Sequence, residues 1–92
     1  FTKIGNNVLI RSCVHISHHN TIEDHCFIAA GVTLAGAVTI KKYNFLGVNS
    51  TIIDGVTINE SNLIGAGAVV VKDTEQSGIY VGMPAKRIKD NK

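Results

Sequence analysis

The sequence predicts an all-β chain wound as a parallel β-helix of about four coils, followed by a C-terminal extension. Three observations predict it. Ile4, Ile10, Ile16, Ile22, Ile28, Leu34, Ile40, Leu46, Ile52, Ile58, Ile64 and Val70 are aliphatic and stand six apart, twelve positions without a break. Two residues before each comes a smaller or narrower set, Val8, Val14, Cys26, Val32, Val38, Ser50, Val56 and Ala68, with Asn20, Asn44 and Asn62 as its polar members. The residues between favour short strands: Val, Ile, Thr and Phe in pairs, broken by Gly, Asn and Asp. A fixed short period is the mark of a repeat architecture. Neither a helix at 3.6 nor a coiled coil at 3.5 keeps one residue type on a six-step.

Each element follows from this beat. Positions i−2 and i point inward, as the strand period of two requires. Two outward corner residues then turn the chain before the next strand. Three hexads close a triangular coil of 18 residues, and strands of successive coils stack in parallel about 4.8 Å apart. Twelve hexads make four coils, roughly 19 Å tall at that spacing. Residues 18 apart therefore stack: Asn44 on Asn62 as an internal amide ladder, Val32 below Ser50, and Gly36 one storey from His18. The corners hold Gly5, Gly47, Gly65, Gly67, Asn6, Asn7, Lys41, Lys42, Asn59 and Glu60. Glycine and asparagine suit the left-handed backbone that tight corners require. At Asp73 the beat stops. Residues 73–78 read as a loop, 79–82 as a short strand, and 83–89 as a terminal extension or short helix with Pro84 near its start. Residues 1–72 thus form the repeat unit and 73–92 its tail.

The totals narrow the function classes. Ninety-two residues make one domain at most. A chain this short buries a globular core with difficulty, but stacked layers bury one another. A net charge of +2 is too mild for a nucleic-acid surface, and Lys86, Arg87, Lys89 and Lys92 read as a solvated basic tail. Cys13 and Cys26 lack a CxxC spacing, and Cys26 falls on the inward set, which fits a buried free thiol and a reducing cytoplasm. There is no signal peptide pattern and no apolar run of about 18 residues. Phe1-Thr2-Lys3-Ile4-Gly5 is already inside the repeat, with no cap for the first coil. That predicts a C-terminal piece of a longer chain.

The spacing of an aliphatic residue, glycine and four variable residues recurs at Ile4-Gly5, Leu46-Gly47 and Ile64-Gly65. It resembles the hexapeptide-repeat acyltransferases, which fold as left-handed parallel β-helices. The hand is implied by the resemblance only, because general chain sterics favour right-handed crossovers. The likeness is most specific in Gly-Ala-Gly-Ala-Val-Val-Val-Lys-Asp (65–73) and Tyr-Val-Gly-Met-Pro-Ala-Lys (80–86). These resemble the sugar-modifying members, above all the sialic acid O-acetyltransferase and bacillosamine N-acetyltransferase group. Such members usually carry an N-terminal α/β nucleotide-sugar-binding domain, a segment that residues 1–92 do not contain. The resemblance implies acetyl transfer from acetyl-CoA to an amine or hydroxyl of a nucleotide-linked sugar, as in polysaccharide biosynthesis. It also implies a homotrimer with active sites between subunits. No metal is expected, because the zinc set of the related hydratases needs histidines about two coils on and none follows His25.

The family's general base is a histidine in a segment of form His-Asp-Cys-x-Ile-Gly. Counted back from Ala35-Gly36, it falls on His18. The acidic residue that follows it in the family falls on His19, and a further histidine set against the cofactor falls on Phe27. Both are departures from the family pattern. Glu23 and Asp24 are nearby acids. By the same resemblance Gly65, Lys72, Pro84 and Lys86 lie where the nucleotide end of coenzyme A binds, and Lys86 or Arg87 meets a phosphate. The corner column Ala30, Val48 and Ala66 offers small or apolar side chains to the pantetheine arm.

All four histidines, His15, His18, His19 and His25, fall between residues 15 and 25, off the inward set. Histidine is the natural base for acyl transfer near neutral pH. It removes the proton of the amine or hydroxyl as that group attacks the thioester. A backbone N–H at a glycine corner stabilises the tetrahedral oxyanion, and Gly36 is the candidate because a side chain there would fill the space the thioester needs. Two alternatives stand beside this one. The first is a non-catalytic β-helix that only trimerises an attached domain. The second is a zinc hydratase like the γ-class carbonic anhydrases, with His15, His18 and His19 as ligands. A cysteine nucleophile has less support, since Cys26 points inward and Cys13 lacks an activating partner.

Overall fold

The computed structural model describes residues 2–91; Phe1, which opens the first repeat, and Lys92, in the basic tail, lie outside the described residues. The chain winds as a left-handed parallel β-helix. Strands β1 (Lys3–Ile4), β2 (Leu9–Ile10) and β3 (His15–Ile16) make the first coil. Strands β4 (Thr21–Ile22), β5 (Phe27–Ile28) and β6 (Thr33–Leu34) make the second. The third has β7 (Thr39–Ile40), β8 (Phe45–Leu46) and β9 (Thr51–Ile52), and the fourth β10 (Thr57–Ile58), β11 (Leu63–Ile64) and β12 (Val69–Val70). Each coil puts one strand in each of three sheets, ordered β1-β4-β7-β10, β2-β5-β8-β11 and β3-β6-β9-β12. The register is 18 throughout: Thr21 faces Thr39, Phe27 faces Phe45 and Thr33 faces Thr51.

The inward set fills the prism. Ile28, Leu34, Ile40, Leu46, Ile52, Ile58 and Ile64 are wholly buried, each contributing roughly 1.5–3 kcal/mol relative to exposure. Asn20, Asn44, Asn62 and Ser50 are buried among them, and every one has its hydrogen bonds. The amide ladder is present. Asn44 Oδ1 accepts from the Asn62 N–H at 2.8 Å, and Asn62 Oδ1 accepts from the Gly78 N–H at 2.6 Å. The Asn62 amide also donates to Asn59 O and Thr74 Oγ1. A buried amide at this position continues the backbone ladder around a corner, where a hydrocarbon would leave donors without partners.

The corners differ from the sequence expectation. The left-handed residue is the same one in every hexad: Asn7, Cys13, His19, His25, Gly31, Ala37, Tyr43, Asn49, Gly55, Ser61 and Gly67 all have positive φ. Only five of these are Gly or Asn, so six corners carry the strain of a left-handed Cys, His, Ala, Tyr or Ser, roughly 1–2 kcal/mol each. Gly5, Gly47 and Gly65 are required for another reason, the close approach of the next layer. A Cβ on Gly47 would stand 2.6 Å from Ile64 O, one on Gly65 would stand 2.8 Å from Val81 Cγ1, and one on Gly5 would collide with Asp24 Oδ1.

The tail closes the fourth coil. In the 73–78 loop the Asp73 carboxylate accepts the Thr57 N–H and the Thr74 N–H donates to Thr57 O. Strand β13 (Gly78–Gly82) then lies parallel on β11, in the place of a fifth coil's second strand. The chain reverses through a turn holding a cis Met83-Pro84 bond, and β14 (Ala85–Asp90) pairs antiparallel with β13. Residues 83–89 are therefore a turn and a strand, not a short helix. A helix here would leave the backbone groups along one side of β13 without partners, and a proline disfavours helical backbone in the residue before it.

Replacing Asn62 with Ala is expected to cost about 1–3 kcal/mol, since it orphans the buried Gly78 N–H, while Thr74 Oγ1 keeps the Asn59 N–H. Urea unfolding measures the loss, and hydrogen exchange at Gly78 should quicken more than at Ile28. Equal exchange at both sites would show that the ladder does not hold the tail.

Candidate active site

The edge that follows β3, β6, β9 and β12 carries His18, Gly36, Asp54 and Lys72, each 18 residues after the last. The closing of the coil at 18 brings the first three together. The Ala37 N–H donates to His18 O at 3.1 Å, which locks the second coil on the first. Gly36 lies directly against the imidazole: a Cβ built there would stand 3.4 Å from His18 Cε1 and 3.8 Å from Nδ1. Those are ordinary contact distances, so an alanine would fit and would occupy the open space beside the ring.

His19 turns the corner in the left-handed region, with φ of 62°. This backbone aims its ring back at its neighbour. His18 Nδ1 and His19 Nδ1 are 2.9 Å apart, with the rings edge to face. One hydrogen bond joins two like nitrogens, so one ring donates and the other accepts. If His18 donates, its Nε2 keeps a lone pair and is a base. If His19 donates, His18 carries its hydrogen on Nε2 and is not. Both rings are exposed. The nearby acids do not enter this pair. Asp24 Oδ1 accepts the Asn6 N–H at 2.7 Å on another edge. His25 also belongs to that other edge, bonded to Asn7 and stacked on Tyr43.

Asp54 is the residue that sequence reasoning missed. The Gly36 N–H, the expected oxyanion donor, already donates to Asp54 Oδ1 at 3.1 Å. The same 18-residue step that links His18 to Gly36 reaches Asp54 when taken once more.

The remaining predicted residues stand elsewhere on the chain. Phe27 projects from the second sheet and stacks on Phe45, ring centres 4.9 Å apart. Phe27, Phe45, Ala30 and Val48 line a shallow apolar groove with Arg11 beside it. Gly65 and Ala66 belong to that same edge, between the second and third sheets. Lys72, Pro84 and Lys86 line a larger cavity of about 540 Å³ with Tyr80, Glu75 and Arg87. Arg87 is held by Asp90 and by the carbonyls of Gln76 and Ser77, so it braces the tail. Within one chain, then, His18 and Gly36 meet, while the groove with Phe27 and Val48 lies at the opposite end of the third sheet's strands. Among the described residues no three His, Cys, Asp or Glu side chains stand close enough to hold a metal ion, so the zinc alternative finds no ligand set in one chain.

The two cysteines differ sharply. Cys13 is exposed and Cys26 buried. Cys26 Sγ donates to Lys41 O at 3.0 Å. Burial, with smaller contributions from Glu23 and Asp24, raises its pKa above the ordinary 9.0. No helix among the described residues is long and apolar enough to cross a membrane.

The family described as bacterial transferase hexapeptide (six repeats) matches residues 1–36. An acyl-[acyl-carrier-protein]–UDP-N-acetylglucosamine O-acyltransferase of Aliarcobacter butzleri is 51% identical over 37 residues, which is 40% of this chain and 14% of that protein. A polySia-specific acetyltransferase is similar in structure, with TM-score 0.93 and 28% identity, over 98% of this chain and 52% of its own. A galactoside acetyltransferase in complex with coenzyme A has TM-score 0.94 and 27% identity, over 99% of this chain and 56% of its own. The chain thus spans about half the length of these solved relatives and a smaller share of the curated one.

The folded protein holds the Cys26 proton more tightly than the unfolded chain does. Its contribution to stability is therefore complete below about pH 9 and is lost as pH rises through the folded-state pKa. Urea unfolding between pH 8 and 10.5 should show a steeper decline for the natural protein than for Cys26→Ala. An aromatic disulfide reagent should label Cys13 at once and Cys26 only on unfolding. Prompt labelling of both thiols would contradict the buried placement.

Proposed function

We propose that this chain is the acyl-transfer part of a sugar acetyltransferase. It moves an acetyl group from acetyl-CoA to an amine or hydroxyl of a sugar, with a nucleotide-linked amino sugar as the favoured acceptor. The observation that carries this is the packing of Gly36 against the His18 imidazole, whose Nδ1 is engaged by His19. The relatives with acetyltransferase activity support the class of reaction.

In the proposed reaction His18 donates its Nδ1 hydrogen to His19 Nδ1 and presents the Nε2 lone pair to the acceptor. As the amine or hydroxyl attacks the thioester carbonyl, Nε2 takes its proton. The carbonyl oxygen becomes an oxyanion and receives the Gly36 N–H. Collapse of this intermediate breaks the carbon–sulfur bond. The coenzyme A thiolate takes the proton from the imidazolium, which restores the base. His19 replaces a carboxylate in this scheme. It orients His18 but lends it no negative charge, so His19 is a positioning residue.

Acetyl-CoA would lie along the prism, its pantetheine arm beside Phe27, Val48 and Ala66, and its nucleotide end near Gly65, Lys72, Pro84 and Lys86. Val48, Gly65 and Ala66 stand on another edge and would reach His18 only across two copies of the chain, while Lys72 stands on the edge of His18 itself. A homotrimer that joins the edge carrying His18 to the neighbour's edge carrying Val48 uses heterologous contacts that close into a ring. The exposed Phe45 and Val48 suit that contact. Two free thiols suit the reducing cytoplasm, where acetyl-CoA is at hand.

The test is thiol release from acetyl-CoA with a panel of nucleotide-linked amino sugars. His18→Ala is expected to lower kcat by about 10²–10⁴-fold while the oligomer stays intact. His19→Ala should cost about tenfold, the worth of one orienting hydrogen bond, and His19→Asp should recover most of it. Unchanged turnover in His18→Ala removes this histidine from the mechanism. No turnover with any acceptor favours the non-catalytic trimerising module.

A further inference from the structure

We infer that Asp54 is a displaceable stopper on the oxyanion donor, so that the acyl donor enters the site by exchanging its thioester oxygen for the Asp54 carboxylate. This rests on the reading of Gly36 as that donor. The Gly36 N–H points towards the third coil, where Asp54 Oδ1 accepts it at 3.1 Å. One N–H cannot serve a carboxylate and an oxyanion together at full strength. A carboxylate left in place would also set a fixed negative charge beside a developing one, which opposes the transition state.

The exchange is easy because of where this contact sits. Three aspartates cap corner or strand N–H groups of the coil before them. Asp24 accepts from Asn6 at 2.7 Å, Asp73 from Thr57 at 2.8 Å and Asp54 from Gly36 at 3.1 Å. The bond on the histidine edge is the longest of the three, and Asp54 is exposed. Its carboxylate can swing into water at the cost of one solvent-facing hydrogen bond. No covalent bond changes, and no proton moves in this step. Asp54 holds the donor oriented while the site is empty and sets a threshold for entry, which makes it a positioning residue on the acyl-donor side.

Three variants test this. Asp54→Ala should raise kcat/KM for acetyl-CoA about tenfold, mainly through KM, and Asp54→Asn, which keeps an oxygen at Gly36 without the charge, about threefold. Asp24→Ala, on the edge away from His18, should lower the urea midpoint and leave the kinetics unchanged. A purely structural Asp54 would follow Asp24. Amide NMR supplies a readout independent of turnover. The Gly36 amide signal should move when acetyl-CoA is added to the natural protein. In Asp54→Ala it should already be moved before addition, and acetyl-CoA should bind about tenfold more tightly. If no acceptor supports turnover, the transfer reading fails, and the binding comparison still judges Asp54. Equal or weaker acetyl-CoA affinity in both Asp54 variants, or a Gly36 amide that ignores acetyl-CoA, overturns the inference. Should Asp54→Ala not fold, Asp54→Asn alone decides by the same two measurements.

Discussion

The hydrogen bond from each strand N–H to the carbonyl 17 residues later governs everything else in this molecule. Lys3 to Asn20, Leu9 to Cys26 and His15 to Val32 are its first instances, at 2.9–3.0 Å. That bond fixes the length of a lap, and the length of a lap sorts side chains into columns. A residue's neighbours are then decided by arithmetic on its number, not by long-range folding of loops. The arrangement is unforgiving. One inserted residue inside a coil would move the aliphatic set outward and part His18 from Gly36 together.

Polar side chains use these columns in two ways. Inside the prism, Asn20, Asn44 and Asn62 offer an amide oxygen to the N–H above them, at 2.6–2.8 Å. Outside, Asp24, Asp54 and Asp73 offer a carboxylate oxygen to the same kind of donor. The inner oxygens take an N–H of the coil after them, the outer ones an N–H of the coil before, and the energetics differ as well. A buried donor stripped of its acceptor loses about 1–3 kcal/mol, while an exposed one turns to water. Structure is therefore kept by the inner caps. The outer caps can be removed at a smaller cost, and a site that must open and close an N–H is best placed among them.

Much of the fold could be read directly, and the reason is the lap itself. Ile28, Leu46 and Ile64 announce their burial because every inward position recurs. The Asn44–Asn62 ladder follows from a difference of 18. The backbone strain of the corners was not legible: His19, Tyr43 and Cys13 hold left-handed angles that their side chains disfavour, imposed by the register of the strands on either side. Gly5, Gly47 and Gly65 look like turn glycines in sequence, yet they answer to the close approach of the next layer, through its backbone at Gly47 and its side chains at Gly5 and Gly65. The tail escaped too. Beyond Asp73 no period remains, and the β13–β14 pairing depends on a free sheet edge that only the stacked coils reveal. At the candidate site the His18–Gly36 contact was readable. The partner of His18 Nδ1 was not, because the direction of the His19 ring comes from its φ, and Asp54 lies one lap beyond the His18–Gly36 pair.

The hairpin also bears on how large an object this chain can build. Stacked parallel layers are a template without an inherent end, and a bare final layer invites another molecule to continue it into a fibre. Strand β14 runs against the direction of every strand beneath it, and its outer rim carries Lys86, Arg87 and Lys89. A newcomer meets reversed polarity and repelling charge where it would need a matching seam. At that pole, assembly along the axis is arrested, and any association is turned towards the flanks.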